Sequence, residues 1–234
     1  MSWAAKRFWA AATAEPCEGG FTVRLDDRAV KTPAKAALIL PTLAMAQTIA
    51  AEWDAQTGKV KPDTMPCTRS ANSAIDKVAV QFDEVAGLLA DYGASDLLCY
   101  RSTGPEALVA RQAAAWGPLL DWSATALNAP MRSTQGVIHV AQDPTSIDRL
   151  TARIRAFTPF ELAAVHDMIS ISGSLVIALA ITDGYLTIEQ GWQVSRIDET
   201  WQDEQWGIDE DAAAHEALRR AAFLHAGRFF ALCG

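Results

Sequence analysis

Two stretches of this chain carry residue types and spacings that could do chemistry. The first is "MPCTRSANSAIDKV" (Met65 to Val78), in which Arg69, Asn72 and Asp76 follow one another at i+3 and i+4. On a helix such neighbours share a face and can hydrogen-bond. They would line a polar pocket, or form a buried network that locks a helix onto strands. The second is "IDETWQDEQWG" (Ile197 to Gly207), which holds Trp201, Trp206 and the carboxylates Asp198, Glu199, Asp203 and Glu204 without a single Lys or Arg. Continued as one helix, Glu199, Asp203, Trp206 and Glu210 form a stripe, and Ile197, Trp201, Gln205 and Ile208 form the stripe beside it. Burying Ile197 and Trp201 and solvating the acids accounts for Trp201. Trp206, whose stripe-mates are carboxylates, fits a contact surface better: the indole supplies anchor area and the acids orient a basic partner.

The remaining candidates for catalysis are weak. None of the four histidines has metal-ligand spacing. His166 and Asp167 are sequence neighbours, which should point different ways on a helix. "SISGSL" (Ser170 to Leu175) lacks the G-x-S-x-G pattern and falls in the middle of an expected helix, so its small residues read as allowing close helix approach. There is no phosphate-binding glycine loop. The four cysteines form no C-x-x-C pair and are expected to be reduced thiols, mostly buried. No metal and no cofactor is expected.

Composition narrows the partners. Half of the 234 residues are apolar and the net charge is −8, which suits a soluble globular protein and argues against nucleic acid. No signal peptide is visible at the start of the sequence. The most apolar run, Ile169 to Ile181, is shorter than the roughly 20 residues a bilayer requires and reads as a buried core helix. Membrane insertion is not expected.

Hydrophobic periodicity supplies the elements that would position these residues. The first forty residues read as short strands, with Phe21, Val23 and Leu25 alternating against Thr22 and Arg24, and "KAALILP" as a further strand. Thr42 is the expected N-cap of a helix carrying Ala46, Ile49, Ala50 and Trp53 on one side, which makes Trp53 an anchor between that helix and the sheet. A long helix is expected over about 68–92. Another follows Pro105 with Gly117-Pro118 as a break or kink, and helices over about 145–156, 159–182, 186–206 and 210–231 complete the chain. Strands followed by helices predict an α+β protein. Its parts would be a small N-terminal α+β domain over 1–103, with an antiparallel sheet, and an all-helical orthogonal bundle over 104–234.

Seven segments carry a resemblance beyond these physical readings: "RAVKTPAKAAL" (28–38), "AAEWDAQ" (50–56), "MPCTRSANSAID" (65–76), "YGASDLLCYR" (92–101), "QAAAWGPLLDW" (112–122), "GSLVIALAI" (173–181) and "DETWQDEQWGID" (198–209). Together, and in this order, they closely resemble the assembly chaperones of F-type ATP synthase that hold the α subunit of the catalytic head before it joins β. Lys77 departs from the pattern, standing where the family has Arg. The resemblance implies a bacterial, cytoplasmic, non-enzymatic holdase, expected to be a monomer. It would cover the free α subunit until β displaces it. It also implies partner contacts at Glu199, Trp201, Glu204, Trp206 and Asp209, with Glu199 foremost and exposed. The alternative from a different class is a small-molecule enzyme with its polar site near Arg69, Asn72 and Asp76.

Overall fold

In a computed structural model that describes residues 6–234, the chain forms two units. One comprises the residues through Phe82 together with Thr158–Ala164 and Arg228–Gly234; the other comprises Asp83–Phe157 and Val165–Gly227. The division after Phe82 lies ahead of the compositional boundary at 103/104, because Asp83–Arg101 packs with the helices that follow it. The α+β character is as expected: a small antiparallel sheet near the N-terminus, then mostly helices.

The N-terminal unit is built on a sheet of order β1-β2-β3, with β1 at Ala12–Cys17, β2 at Gly20–Leu25 and β3 at Arg28–Ala29. Ala12 faces Leu25 and Cys17 faces Gly20, so Glu18 and Gly19 turn the hairpin. The alternation read in the sequence is real: Val23 and Leu25 are buried, with Phe21 half-buried. "KAALILP" is not a regular strand. It is an extended segment that touches the others through single bridges, Lys31 to Ala37 and Phe21 to Leu40. Gly20 explains the close approach at the second bridge. Its φ is +152°, and a Cβ there would lie 2.3 Å from the Leu40 carbonyl oxygen.

Helix α1 (Leu43–Asp54) opens as predicted, with the Thr42 hydroxyl accepting from the Met45 amide at 3.1 Å. The same hydroxyl donates to the Leu232 carbonyl at 2.6 Å. Met45, Ala46, Ile49 and Ala50 are buried, whereas Trp53 is half-buried and meets the buried Trp9 ring edge-on at 5.4 Å. Trp53 is therefore an edge of the core, not its centre.

Helix α2 (Pro66–Ser73) has no cap of its own. Glu52 on α1 supplies it, accepting from Cys67 N at 2.7 Å, Thr68 N at 2.8 Å and the Thr68 hydroxyl at 2.7 Å. A carboxylate at a helix N-terminus satisfies orphan amides and meets the positive end of the dipole. Glu52→Ala should accordingly cost about 1–2 kcal/mol, at the upper end for losing a cap. Urea unfolding checks this, and a loss under about 0.5 kcal/mol would show that water replaces the carboxylate at no cost.

The long helix expected over 68–92 is interrupted. A π turn spans Ala74–Val78, with Ala79 N donating to Ala74 O at 2.9 Å, and α3 then begins afresh at Phe82–Ala90. The widened turn carries Asp76, whose carboxylate reaches back to the Thr32 hydroxyl at 2.6 Å and Ala34 N at 3.0 Å.

In the other unit, α4 (Glu106–Ala126) continues as one helix through Gly117-Pro118, so of the expected break or kink the break does not occur. A two-residue parallel pair, β4 (Tyr100–Arg101) with β5 (Thr134–Gln135), and helix α5 (Pro144–Arg155) follow. The helix expected over 159–182 is two: α6 (Pro159–Ser172) and α7 (Leu175–Thr182). Gly173, at φ +74°, ends the first, and Ser174 caps the second by accepting from Ile177 N at 3.0 Å. The serines are thus a helix boundary. Close helix approach is made by other small residues: a Cβ at Gly227 would lie 2.6 Å from Ile188, and one at Gly191 would lie 2.5 Å from Ile181. The expected 186–206 helix is likewise two, α8 (Ile188–Ser195) and α9 (Ile197–Trp206), broken at Arg196; α10 spans Glu210–Ala231.

At the centre of this unit is Asp96, fully buried. Its carboxylate accepts from Leu98 N at 3.0 Å, the Ser174 hydroxyl at 2.8 Å and Val176 N at 3.0 Å, so it caps both the short 3-10 turn Leu97–Cys99 and α7. Burial pushes its pKa above the usual carboxylate value, against the opposing pull of these donors. All four thiols are free, but only Cys67 and Cys99 are buried, with Cys17 and Cys233 half-buried; burial pushes Cys67, Cys99 and Cys233 up to about 12.

Candidate functional site

Three of the four carboxylates of Ile197–Gly207 have partners recruited from outside the stretch, which is how it avoids repelling itself. Asp198 accepts from the buried Gln112 amide at 2.6 Å, and Gln112 in turn accepts from Ser102 N at 2.7 Å. Glu199 accepts from Arg196 at 2.5 Å. Glu204 takes both Nη atoms of Arg111, at 2.9 and 2.8 Å. That bidentate geometry lowers the Glu204 pKa and raises that of Arg111, with the hydrogen bond itself as the leading cause. Asp198 and Glu199 also sit in the first turn of α9, where the helix dipole favours negative charge.

Four of the five residues expected to meet a partner are therefore engaged within the protein. Glu199 is not a freely exposed acid: it is half-buried and held by Arg196, whose side chain is only 9% exposed. Arg196 also lies 5.4 Å over the Trp192 ring and 3.6 Å from Glu216. Trp201 is half-buried with the Arg111 guanidinium 5.0 Å over its ring, so Trp201 and Glu204 together grip α4. Asp209 accepts from Ala212 N at 2.8 Å and caps α10. Trp206 differs. It is 78% exposed, makes no ring or hydrogen-bond contact with the described residues, and is followed by Ile208 at 71%. Helix α9 ends at Trp206 and Gly207 turns the chain at φ +87°, so Ile208 and Glu210 do not extend its stripes. The acidic-aromatic surface is a turn between α9 and α10.

The other candidate cluster surrounds a cavity of about 390 Å³ in the N-terminal unit. Arg69, Asn72 and Asp76 all line it, with Pro33, Trp53 and Lys77 among the rest. The three do not bond one another. Exposed Arg69 faces Asp63 at 3.8 Å, Asp76 is spent on Thr32 and Ala34, and the buried Oδ1 of Asn72 has no partner in the protein. His166 departs from its expected geometry too: its Nδ1 lies 3.0 Å from its neighbour Asp167, and that hydrogen bond raises its pKa.

Sequence reading missed Arg111, Arg196, Glu52 and Asp96. The first two are 93 and 3 residues from the acids they hold, and only the short spacing could be read from periodicity. Glu52 and Asp96 do stand inside two of the segments that carry the resemblance, "AAEWDAQ" and "YGASDLLCYR".

Comparison with known proteins agrees with this architecture. The family model described as ATP12 chaperone protein matches residues 6–124. The mitochondrial protein atp12 of Schizosaccharomyces pombe is 24% identical over 219 residues, covering 88% of this chain and 75% of that protein. The crystal structure of Atp12 from Paracoccus denitrificans is 49% identical, covers all of both chains and superposes with a TM-score of 0.96. A solved structure from Agrobacterium tumefaciens is 40% identical over 98% of this chain and 86% of its own, with a TM-score of 0.92. With half its length matched by the family model, and a fold shared end to end with a relative of this identity, the chain belongs to the ATP12 chaperone protein family.

Proposed function

We propose that this protein is an assembly chaperone that binds the free α subunit of the F-type ATP synthase catalytic head, prevents its aggregation and hands it to β. It acts as a cytoplasmic monomer without enzymatic chemistry, and release follows from competition by β. The observation that carries the contact surface is Trp206: a large indole left exposed beside Ile208, in a turn flanked by Glu204, Asp209 and Glu210. Exposed aromatics of this kind serve as interface anchors, and neighbouring acids steer a basic partner surface. Glu199, Trp201, Glu204 and Asp209 contribute by holding this turn in place as well as by bordering it. The enzyme reading of the Arg69, Asn72 and Asp76 cluster gains nothing from its geometry, since Asp76 already accepts from Thr32 and Ala34.

Trp206→Ala tests the reading. Its melting temperature should stay within a degree or two of the parent, because the side chain is largely exposed and makes no ring contact with the described residues. Affinity for purified α subunit should fall about 30-fold, the loss expected for an interface anchor worth about 2 kcal/mol. Co-expressed α subunit should shift to the insoluble fraction. Unchanged affinity with intact folding would remove the α9–α10 turn from the contact.

A further inference from the structure

Charge in this chain is divided unevenly between the two units. The N-terminal unit carries 11 Lys and Arg against 9 acids, and the other carries 9 against 19. All six lysines fall between positions 6 and 77, and most of them gather around the N-terminal cavity. Exposed Arg69 and Lys77 line it, Lys59 and Lys61 flank its Val60, and Lys31 and Lys35 lie two residues to either side of its Pro33. The acids nearby are engaged within the unit: Glu52 caps α2, Asp54 pairs with Arg7 at 3.0 Å, and Asp76 accepts from Thr32 and Ala34. Asp63 is the exception, 3.8 Å from Arg69 with its side chain 99% exposed. Between the cations the walls are apolar, formed by the exposed Pro33 and Pro62 and the half-buried Val60 and Trp53.

The α9–α10 turn is its counterpart, opposite in charge and also apolar. From Ile197 to Leu218 there is no Lys or Arg, and the exposed Trp206 and Ile208 lead into the exposed Asp209, Glu210 and Asp211. We propose that this turn on one copy docks in the cavity of a second copy, with the Trp206 indole against Pro33, Val60 and Pro62 and the acids after it against Arg69 and Lys77. An indole laid on proline and aliphatic walls removes apolar surface on both sides, and opposite charge fixes the orientation. The cavity's volume of about 390 Å³ lies in the range that receives a group of this size. Each copy offers one cavity and one turn, so the contact is heterologous and passes from copy to copy. Its area is small, which sets a Kd on the order of 100 µM. Self-contact covers the anchor in chains that hold no client, and a client that takes Trp206 releases the monomer. The contact is measured without α subunit, so its failure and that of the proposed client contact are separate results.

Sedimentation velocity of the full-length protein, over about 10–500 µM in about 50 mM salt, reads the contact. The weight-average sedimentation coefficient should rise with concentration, and about 0.5 M salt should weaken the association at least fivefold. Trp206→Ala should weaken it at least tenfold. Reversing either face, with Arg69→Glu and Lys77→Glu or with Glu210→Lys and Asp211→Lys, should leave each variant monomeric over this range. All five positions are exposed, so the variants should stay folded, which circular dichroism checks. An equimolar mixture of the two reversed proteins should associate again, since each face then meets its opposite. Net charge alone predicts otherwise for the turn variant, which moves closer to neutrality and would self-associate more. A coefficient that does not rise with concentration overturns the proposal, including the case in which the turn fills its own chain's cavity. Association unaltered by Trp206→Ala, or a mixture no more associated than its parts, overturns it as well.

Discussion

Replacing Asp96 by alanine should destabilise the protein by about 3 kcal/mol or more, lowering the melting temperature by roughly 10 °C. The carboxylate accepts from the Ser174 hydroxyl and from the amides of Leu98 and Val176, with Leu175 N also donating toward it. Alanine leaves these buried donors without an acceptor, at about 1–3 kcal/mol each. The cost of burying the carboxyl is recovered, so the net loss is smaller than the sum. Asp96→Asn keeps one acceptor and sets an NH₂ against the other donors, so it should fall between wild type and alanine. pH separates charge from shape. Burial raises the folded pKa of Asp96 above the unfolded 3.8, so the folded state holds the proton more tightly. The stability this contributes is complete below the unfolded value and is lost as pH rises through the folded one. Asn has no such term, and the gap between wild type and Asp96→Asn should therefore narrow from about pH 4 to about pH 7. A gap that widens over that range would mean the four donors outweigh burial.

Glu199→Lys should cost about 2 kcal/mol and several degrees of melting temperature, although its position resembles an exposed acid in sequence. The variant sets a lysine against Arg196, which is buried, already lacks an acceptor for its Nε and would keep only Glu216 nearby. Breaking a fully buried pair costs 3–5 kcal/mol, and the partial exposure of Glu199 reduces that figure. Glu199→Gln preserves an acceptor and should lose less than half as much. If Glu199→Lys melts within a degree or two of wild type, Arg196 does not depend on it. Any loss of α-subunit protection in that variant must be read against its lowered stability, which is why Trp206→Ala is the cleaner probe of the surface.

What could be read from the sequence was local. The Thr42 cap, the alternation in Phe21–Leu25 and the burial of Ile49 follow from patterns that span four residues or fewer, and the burial of Leu175–Ala180 follows from an unbroken apolar run. The breaks did not. From Ile169 to Ile181 nine of the thirteen residues are apolar and fall on every side of a helix, so no stripe shows that Gly173 ends one helix and Ser174 starts another. Arg196 likewise looks like an ordinary helical position until Glu199, Glu216 and Trp192 are seen around it. The acidic-aromatic stretch was visible as a candidate. Its internal bookkeeping was not, because Arg111 and Gln112 reach Glu204 and Asp198 across 93 and 86 residues. Both tryptophans are expected at a partner surface, and only Trp206 is largely exposed, whereas Trp201 is half-buried against Arg111.

The N-terminal unit closes on residues from the far end of the chain, with Thr42 donating to Leu232 across 190 residues. Synthesis is vectorial, so β1–β3 and α1 leave the ribosome long before Thr158–Ala164 and Arg228–Gly234 are made. The unit that is translated first must be finished last, after the helices encoded between its parts. No single cut can free it either, since its residues come from three separated stretches. A protease acting on the exposed Val137-Ile138 loop should leave two fragments that stay associated, held by a unit to which both contribute.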